Sequence, residues 1–185
     1  MRINRASIKA VRYACKNFHY AKCVPSVQYS YNVFNDNDEW CDVIVYSQGA
    51  NNNIAKPFKL GQGEVLELVR VALNGKQEIT SKALALTLKQ LHKDNHIIKI
   101  VVSYADGDQN HNGIIYQATN WMYLGKHNEN TVGAYIINGK KTHPKSCNSK
   151  GWKQNIKWIK KYIGPNATEF IIEGKHKYIF CFEKN

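Results

Sequence analysis

Two spacings of apolar residues alternate along the chain. VLELVRVAL, residues 65–73, has strand character, interrupted by Glu67 and Arg70. The Asn74–Gly75 turn signal follows. Leu84, Leu88 and Leu91 then recur at i, i+4 and i+7, which predicts a helix over 80–92 with Thr80 or Ser81 as its cap. Residues 97–103 are a short apolar run, the pattern of a strand in mid-sheet. A helix over 112–120 and a strand at 122–124 follow. Further β segments are expected at 28–34, 43–46, 131–137 and 175–182, and an N-terminal helix over 6–18 ends near His19-Tyr20. GANNNIAKPFKLGQG, residues 49–63, reads as a loop.

Near the C-terminus, Trp152, Ile156, Ile159 and Ile163 fall within about 40° of one helical direction. Lys153, Lys157, Lys160 and Lys161 occupy the adjacent face. Gly164-Pro165 stops this helix, the glycine suiting a left-handed cap. The order of elements predicts a mixed α/β sheet with helices on both faces. Strands 65–73 and 97–103 should be parallel neighbours joined by a crossover helix. Chemistry in such sheets gathers at strand C-termini, here Leu73-Asn74 and Ser103-Tyr104-Ala105-Asp106.

Composition narrows the class of protein. A chain of 185 residues can bury a real core. No apolar run approaches the roughly 18 residues of a membrane span, and MRINRASIKAVRYACKNF lacks a secretory apolar stretch, so a cytoplasmic protein is expected. Five scattered cysteines without a Cys-x-x-Cys pair suggest reduced thiols. The net charge is +12, unevenly spread: from Gly139 onward there are eleven lysines against three glutamates. This balance points to nucleic acid first and a membrane surface second, and the alternation of the lysines with Trp152, Trp158 and Tyr162 favours nucleic acid over a merely solubilising face.

Asp106 and Glu67 are the candidate bases. Asp108 beside Asp106 can raise one of their pKa values, although an Asp in DGDQNHNG equally serves as a turn cap. Glu67 and Arg70, three apart, point to opposite faces of a regular strand, so a direct pair requires a bulge. Ser103 and Tyr104 border the same strand end, and no activating partner for a Ser103 nucleophile is visible.

The run IIYQATNWMYLG resembles the last conserved segment of the GCN5-related N-acetyltransferase fold, with Tyr116 at the position of the frequent general acid and Asn120-Trp121 at that of a Gly-Phe pair. Six strings in order, HY, GQGEVLELVRVAL, TSKALALTLKQL, VVSYAD, GIIYQATNWMYLG and GKHKYI, resemble the Mom adenine-modifying proteins of bacteriophages from His19 to Ile179. The resemblance implies an acetyltransferase-like core at 1–138 and a basic C-terminal extension at 139–185 packed on it. It also implies transfer of a carbamoylmethyl-type group to adenine N6 in DNA, protecting it from restriction in the cytoplasm of a bacterial host. Double-stranded DNA would present a flipped adenine. His19, Tyr20, Arg70, Trp121 and Tyr123 would hold base or substrate, and Lys153, Lys157, Lys160 and Lys161 the phosphates. His19 with Asp106 would be ligands for iron. The superfamily's Gly-rich pyrophosphate loop is replaced by NGKQEITSKA, leaving Thr80 and Ser81 at a helix N-terminus as anion binders and the donor, acetyl-CoA or a relative, open. The alternatives are acyl transfer to a protein or small-molecule amine, and a non-catalytic DNA-binding protein.

Overall fold

The computed structural model describes residues 1–49, 53–109 and 111–182. In chain order it comprises β1 (Arg2–Arg5), α1 (Ile8–Phe18), β2 (Tyr29–Phe34), β3 (Trp40–Ser47), β4 (Val65–Leu73), α2 (Thr80–Asp94), β5 (Ile100–Asp106) and α3 (Ile114–Gln117). There follow β6 (Met122–His127), β7 (Thr131–Ile137), β8 (Lys140–Thr142), α4 (Pro144–Ser149), α5 (Ile156–Tyr162), β9 (Thr168–Ile172) and β10 (Lys175–Cys181). Short 3-10 turns lie between β3 and β4 and after β5. Two compact units emerge: Met1–Ala105 with Gly113–Gly125 and Lys177–Asn185, and Asp106–Asn112 with Lys126–His176.

The first unit is built on a seven-stranded sheet ordered β1-β2-β3-β4-β5-β10-β6. Strands β1 to β4 pair antiparallel, and β4 pairs with β5 in parallel, as the crossover helix requires. One face is covered by α1, whose Val11, Ala14 and Cys15 pack on Val43, Val45 and Ala72. The other face takes α2, where Ala83, Leu84, Leu88 and Leu91 meet Ile44, Tyr46, Leu66 and Leu68. Polar ties fix the rotation of α2. Thr87 donates to the Leu84 carbonyl (2.9 Å), which leaves its oxygen to accept from the Tyr46 hydroxyl (2.7 Å). At the far end Tyr31 donates to Asp94 (2.7 Å), which also pairs with Arg5 (2.9 Å).

Several expected boundaries move. The residue before α2 is Ile79, which offers no capping oxygen, and Thr80 is already helical, its hydroxyl accepting from the Gln77 amide. Strand β5 begins at Ile100 because residues 95–98 form a turn, leaving Ile97 65 % exposed. The helix expected over 112–120 shrinks to four residues between left-handed Gly113 and left-handed Asn120. The loop read at 49–63 includes residues 50–52, which lie outside the described residues.

Two β-bulges shape the sheet. On β4, Val45 faces Arg70 and Tyr46 faces Leu68, so Val69 is an extra residue. On β3, Asn32 faces Val43 while Phe34 faces Trp40, so Cys41 and Asp42 together oppose Val33. Asp42 adopts φ +75°, in the left-handed region that Asp tolerates better than most residues. Its side chain is fully buried, and neither oxygen makes a hydrogen bond of ordinary geometry.

The second unit has its own small core. Sheet β8-β7-β9 is antiparallel, and Tyr135 and Ile137 pack against Cys147, Ile159 and Ala167. The C-terminal helix is shorter than expected: Asn155 caps α5 by accepting from the Trp158 amide (3.1 Å), so Trp152 and Lys153 precede it. Gly164 is not left-handed; its amide bonds to the Ile159 carbonyl (3.0 Å).

Burial raises the Asp42 carboxyl from an ordinary 3.8 to about 6, partly opposed by Asn74 and Lys76. A folded-state pKa above the unfolded value means the native protein binds more protons between pH 4 and pH 6. Stability should therefore fall as pH rises through that window and stay lowered above it. Asp42→Asn, which keeps the left-handed backbone accessible, should remove this fall and stabilise the protein at pH 7 by on the order of 1–2 kcal/mol. Urea denaturation of both proteins at pH 4 and pH 7 measures the difference.

Candidate active site

The parallel ladder between β4 and β5 runs over Val65–Ile100, Leu66–Val101 and Glu67–Val102, and stops there although both strands continue. The next carbonyl, Leu68, is taken by a side chain: Ser103 Oγ lies 3.3 Å from it and 2.9 Å from the Tyr116 hydroxyl. A serine hydroxyl has one hydrogen. Ser103 offers it to two acceptors, the Leu68 carbonyl and the Tyr116 oxygen, and a Tyr116 phenolate would draw it away from Leu68. The bulge at Val69 explains the parting, since it bends β4 immediately beyond the last paired residue.

Tyr116 is 7 % exposed. Burial pushes its phenol upward, the Ser103 hydrogen bond opposes this, and Tyr178 and Glu67 add to the rise. Burial and Glu67 also raise Tyr104. The Glu67 carboxylate thus acts on both tyrosines. It lies over Gly49, occupying the space a side chain there would need. Because of the bulge, Glu67 and Arg70 share a face, which a regular strand would forbid. The site therefore sets a protonated buried phenol beside the Glu67 side chain.

Aromatic rings hold Tyr116 in place. Trp121 and Tyr178 each lie 5.0 Å from it, centroid to centroid. Tyr178 fits only because position 113 is glycine: a Cβ there would enter its ring, and φ is +69°. The Trp121 indole N–H is buried without a hydrogen-bond partner.

Beside these residues a groove of about 770 Å³ runs along α2. Ser81, Lys82, Lys89, His92 and Lys93 form one wall, and Ala118 to Asn120, Phe180 and Phe182 the other. The uncapped first turn of α2 adds free backbone N–H groups at one end. Volume, apolar floor and three lysines fit an elongated, phosphorylated donor.

The Mom protein family model matches residues 1–185. The chain belongs to the Mom family. Among solved structures it resembles a protein assigned as a phosphinothricin N-acetyltransferase, with 8 % identity, 99 % of each chain covered and a TM-score of 0.54. It also resembles a Bacillus subtilis acetyltransferase in complex with CoA, with 9 % identity, 98 % of this chain and 99 % of the other covered, and a TM-score of 0.51. At such identities the likeness establishes the acetyltransferase fold. Among curated proteins none matches.

In this Mom protein Glu67, Ser103, Tyr104 and Tyr116 come together within the first unit. Asp106 belongs to the second, where it pairs with Lys175 (3.8 Å), while Asp108 accepts from the Glu173 amide (3.1 Å) as a turn cap does. Among the described residues no group of three or more His, Cys, Asp or Glu is placed to hold a metal, so the expected His19–Asp106 iron site finds no support. His19 accepts from the Ala21 amide (3.1 Å) and stacks on Tyr20. Two of the expected substrate contacts have partners within the protein. Trp121 is buried between Tyr116 and Phe180 and offers no free face to a base. Arg70 is half-buried and donates to the Val69 carbonyl and to Cys23 Sγ (3.1 Å). Tyr123 remains half exposed, and Lys153, Lys157, Lys160 and Lys161 are exposed. Sequence reasoning missed the groove, although Lys82, Lys89 and Lys93 at i, i+7 and i+11 signal a cationic stripe on α2.

The Gly113–Tyr178 contact separates steric from backbone effects. Gly113→Ala should destabilise the protein by about 3 kcal/mol, combining ring displacement with left-handed strain. Gly75→Ala, at φ +86° in open space, carries only the backbone part, about 1 kcal/mol. Chemical denaturation of the two variants should show that gap.

Proposed function

We propose that this Mom family protein transfers an acyl-derived group, of the carbamoylmethyl type, to the N6 amino group of adenine in DNA. The observation that carries the proposal is the cluster of Glu67, Ser103, Tyr104 and Tyr116 where β4 and β5 part, flanked by the α2 groove. Adenine N6 is a weak nucleophile because its lone pair is delocalised into the ring. Glu67 takes a proton from N6 as the new N6–carbon bond forms, and Tyr116 gives its proton to the leaving group as the donor's bond breaks. The resulting phenolate is stabilised when Ser103 turns its hydrogen from Leu68 to Tyr116.

The donor, acetyl-CoA or a relative, would lie along α2, with its phosphates toward Thr80, Ser81 and Lys82. The CoA bound by the Bacillus subtilis acetyltransferase supports this class of donor. For DNA as the acceptor, support comes from the +12 charge and from Lys153, Lys157, Lys160 and Lys161 around α5, which would hold phosphates flanking a flipped base. Acyl transfer to a protein or small-molecule amine is the second reading; it draws on the fold alone and leaves that charge unexplained. Among the described residues no helix is long and apolar enough to cross a membrane. The DNA reading places the protein in the cytoplasm of a bacterial host, where the modification would shield DNA from restriction.

Nucleosides from plasmid DNA of bacteria expressing the protein, analysed by mass spectrometry, test this reading. A heavier deoxyadenosine is expected with wild type, reduced at least tenfold by Glu67→Gln and by Tyr116→Phe. Unmodified adenine from folded wild-type protein, given host-cell extract as a source of donors, would reject it.

A further inference from the structure

The first 35 residues carry Arg2, Arg5, Lys9, Arg12, Lys16 and Lys22 and not one acidic residue. The structure divides these cations into two kinds. Arg2 and Arg5 are neutralised by Asp38 (2.6 Å) and Asp94 (2.9 Å). Lys9, Arg12 and Lys16 make no ion pair with a carboxylate among the described residues, and all three are exposed on α1. With Tyr13 they span about 100° of the helix, opposite Val11, Ala14 and Cys15, which pack on the sheet.

Aromatic rings lie in and beside the cationic strip. Tyr13 is 52 % exposed, Phe18 41 % and Tyr20 47 %. Tyr13 leans on Trp40 at 5.7 Å and on Phe18 at 6.1 Å, while Tyr20 is stacked against His19 at 4.4 Å. A purely solvating face would contain acids among its cations and would not keep three large rings half in water. From Lys9 to Lys16 the strip is about 10 Å long. That length is enough for its cations to meet neighbouring phosphates of one strand.

We infer that the outer face of α1 is a second DNA-binding surface, separate from the α5 lysines, in which Lys9, Arg12 and Lys16 contact the phosphate backbone of the substrate and Tyr13, Phe18 and Tyr20 pack against its sugars or exposed bases. The inference rests on DNA being the substrate. Charge complementarity selects the occupant: a run of phosphates offers regularly spaced charge for every cation of the strip. The aromatics supply the stacking platform that a duplex opened around a flipped base needs.

The test is fluorescence anisotropy of a labelled 20-base-pair duplex with the full-length protein across a salt series. Arg12→Gln/Lys16→Gln should bind at least tenfold more weakly at low salt, and the slope of log K against log salt should shrink by about 1.8. Lys56→Gln/Lys59→Gln removes two exposed cations from the same unit and should leave the slope unchanged. Circular dichroism and melting verify that both variants fold; if the α1 double variant does not, Arg12→Gln alone should reduce the slope by about 0.9. Equal losses in the two double variants, or an unchanged slope in the α1 variant, overturn the inference. So does transfer of the effect to anionic phosphatidylserine vesicles with DNA binding intact. If wild type modifies adenine while the α1 variant keeps its slope, only this inference fails; if wild type neither binds nor modifies DNA, the functional reading fails with it.

Discussion

Parallel strands stay together only while their amides and carbonyls keep step. One extra residue in β4, Val69, breaks that step, and the ladder to β5 ends at Glu67 and Val102. Backbone groups beyond that point need other partners, because an unpaired buried carbonyl is costly. Ser103 supplies one by reaching for Leu68, and in doing so it comes within hydrogen-bonding distance of Tyr116. The same bulge puts Glu67 and Arg70 on one face. The candidate chemistry of the first unit is thus a local consequence of a single register error between two strands.

Much of the frame was legible because its periodicities are strong. The bounds of β4 and β7 coincide with the sequence reading, and the leucine stripe of α2 is buried as its spacing demands. Shorter elements escaped. Strands β1, β8 and β9 and helix α4 have three to six residues each, too few for a period to declare itself. The bulge carried no local signature either, since Val69 is an ordinary strand residue. The need for it could be read from Glu67 and Arg70; its existence could not. Glu67, Ser103 and Tyr104 were singled out by chemistry and strand position and Tyr116 by the family resemblance, and the fold brings the four together. The facing of Trp121 and Arg70 was not legible, because it depends on distant neighbours: Phe180 for one, Cys23 for the other.

Burial divides the ionisable groups into two populations. Tyr116, Tyr104 and Asp42 are forced toward their neutral forms by desolvation, at positions fixed by packing or by a bulge. The lysines of α2 and α5 and the cations of α1 face water. Groups held neutral lie inside and cations lie outside, the division that the proposed chemistry on a polyanion calls for.

Ser103 also limits how the sequence can drift. Alanine would leave both the Leu68 carbonyl and the Tyr116 hydroxyl unsatisfied. Threonine would bring a methyl group into the seam between two strands, and cysteine would be a poor donor to either oxygen. Only a small residue with a hydroxyl hydrogen to give serves the sheet and the phenol together. A lineage that abandoned the chemistry would still need this hydroxyl to close its sheet, so a serine here can outlive the activity it once supported.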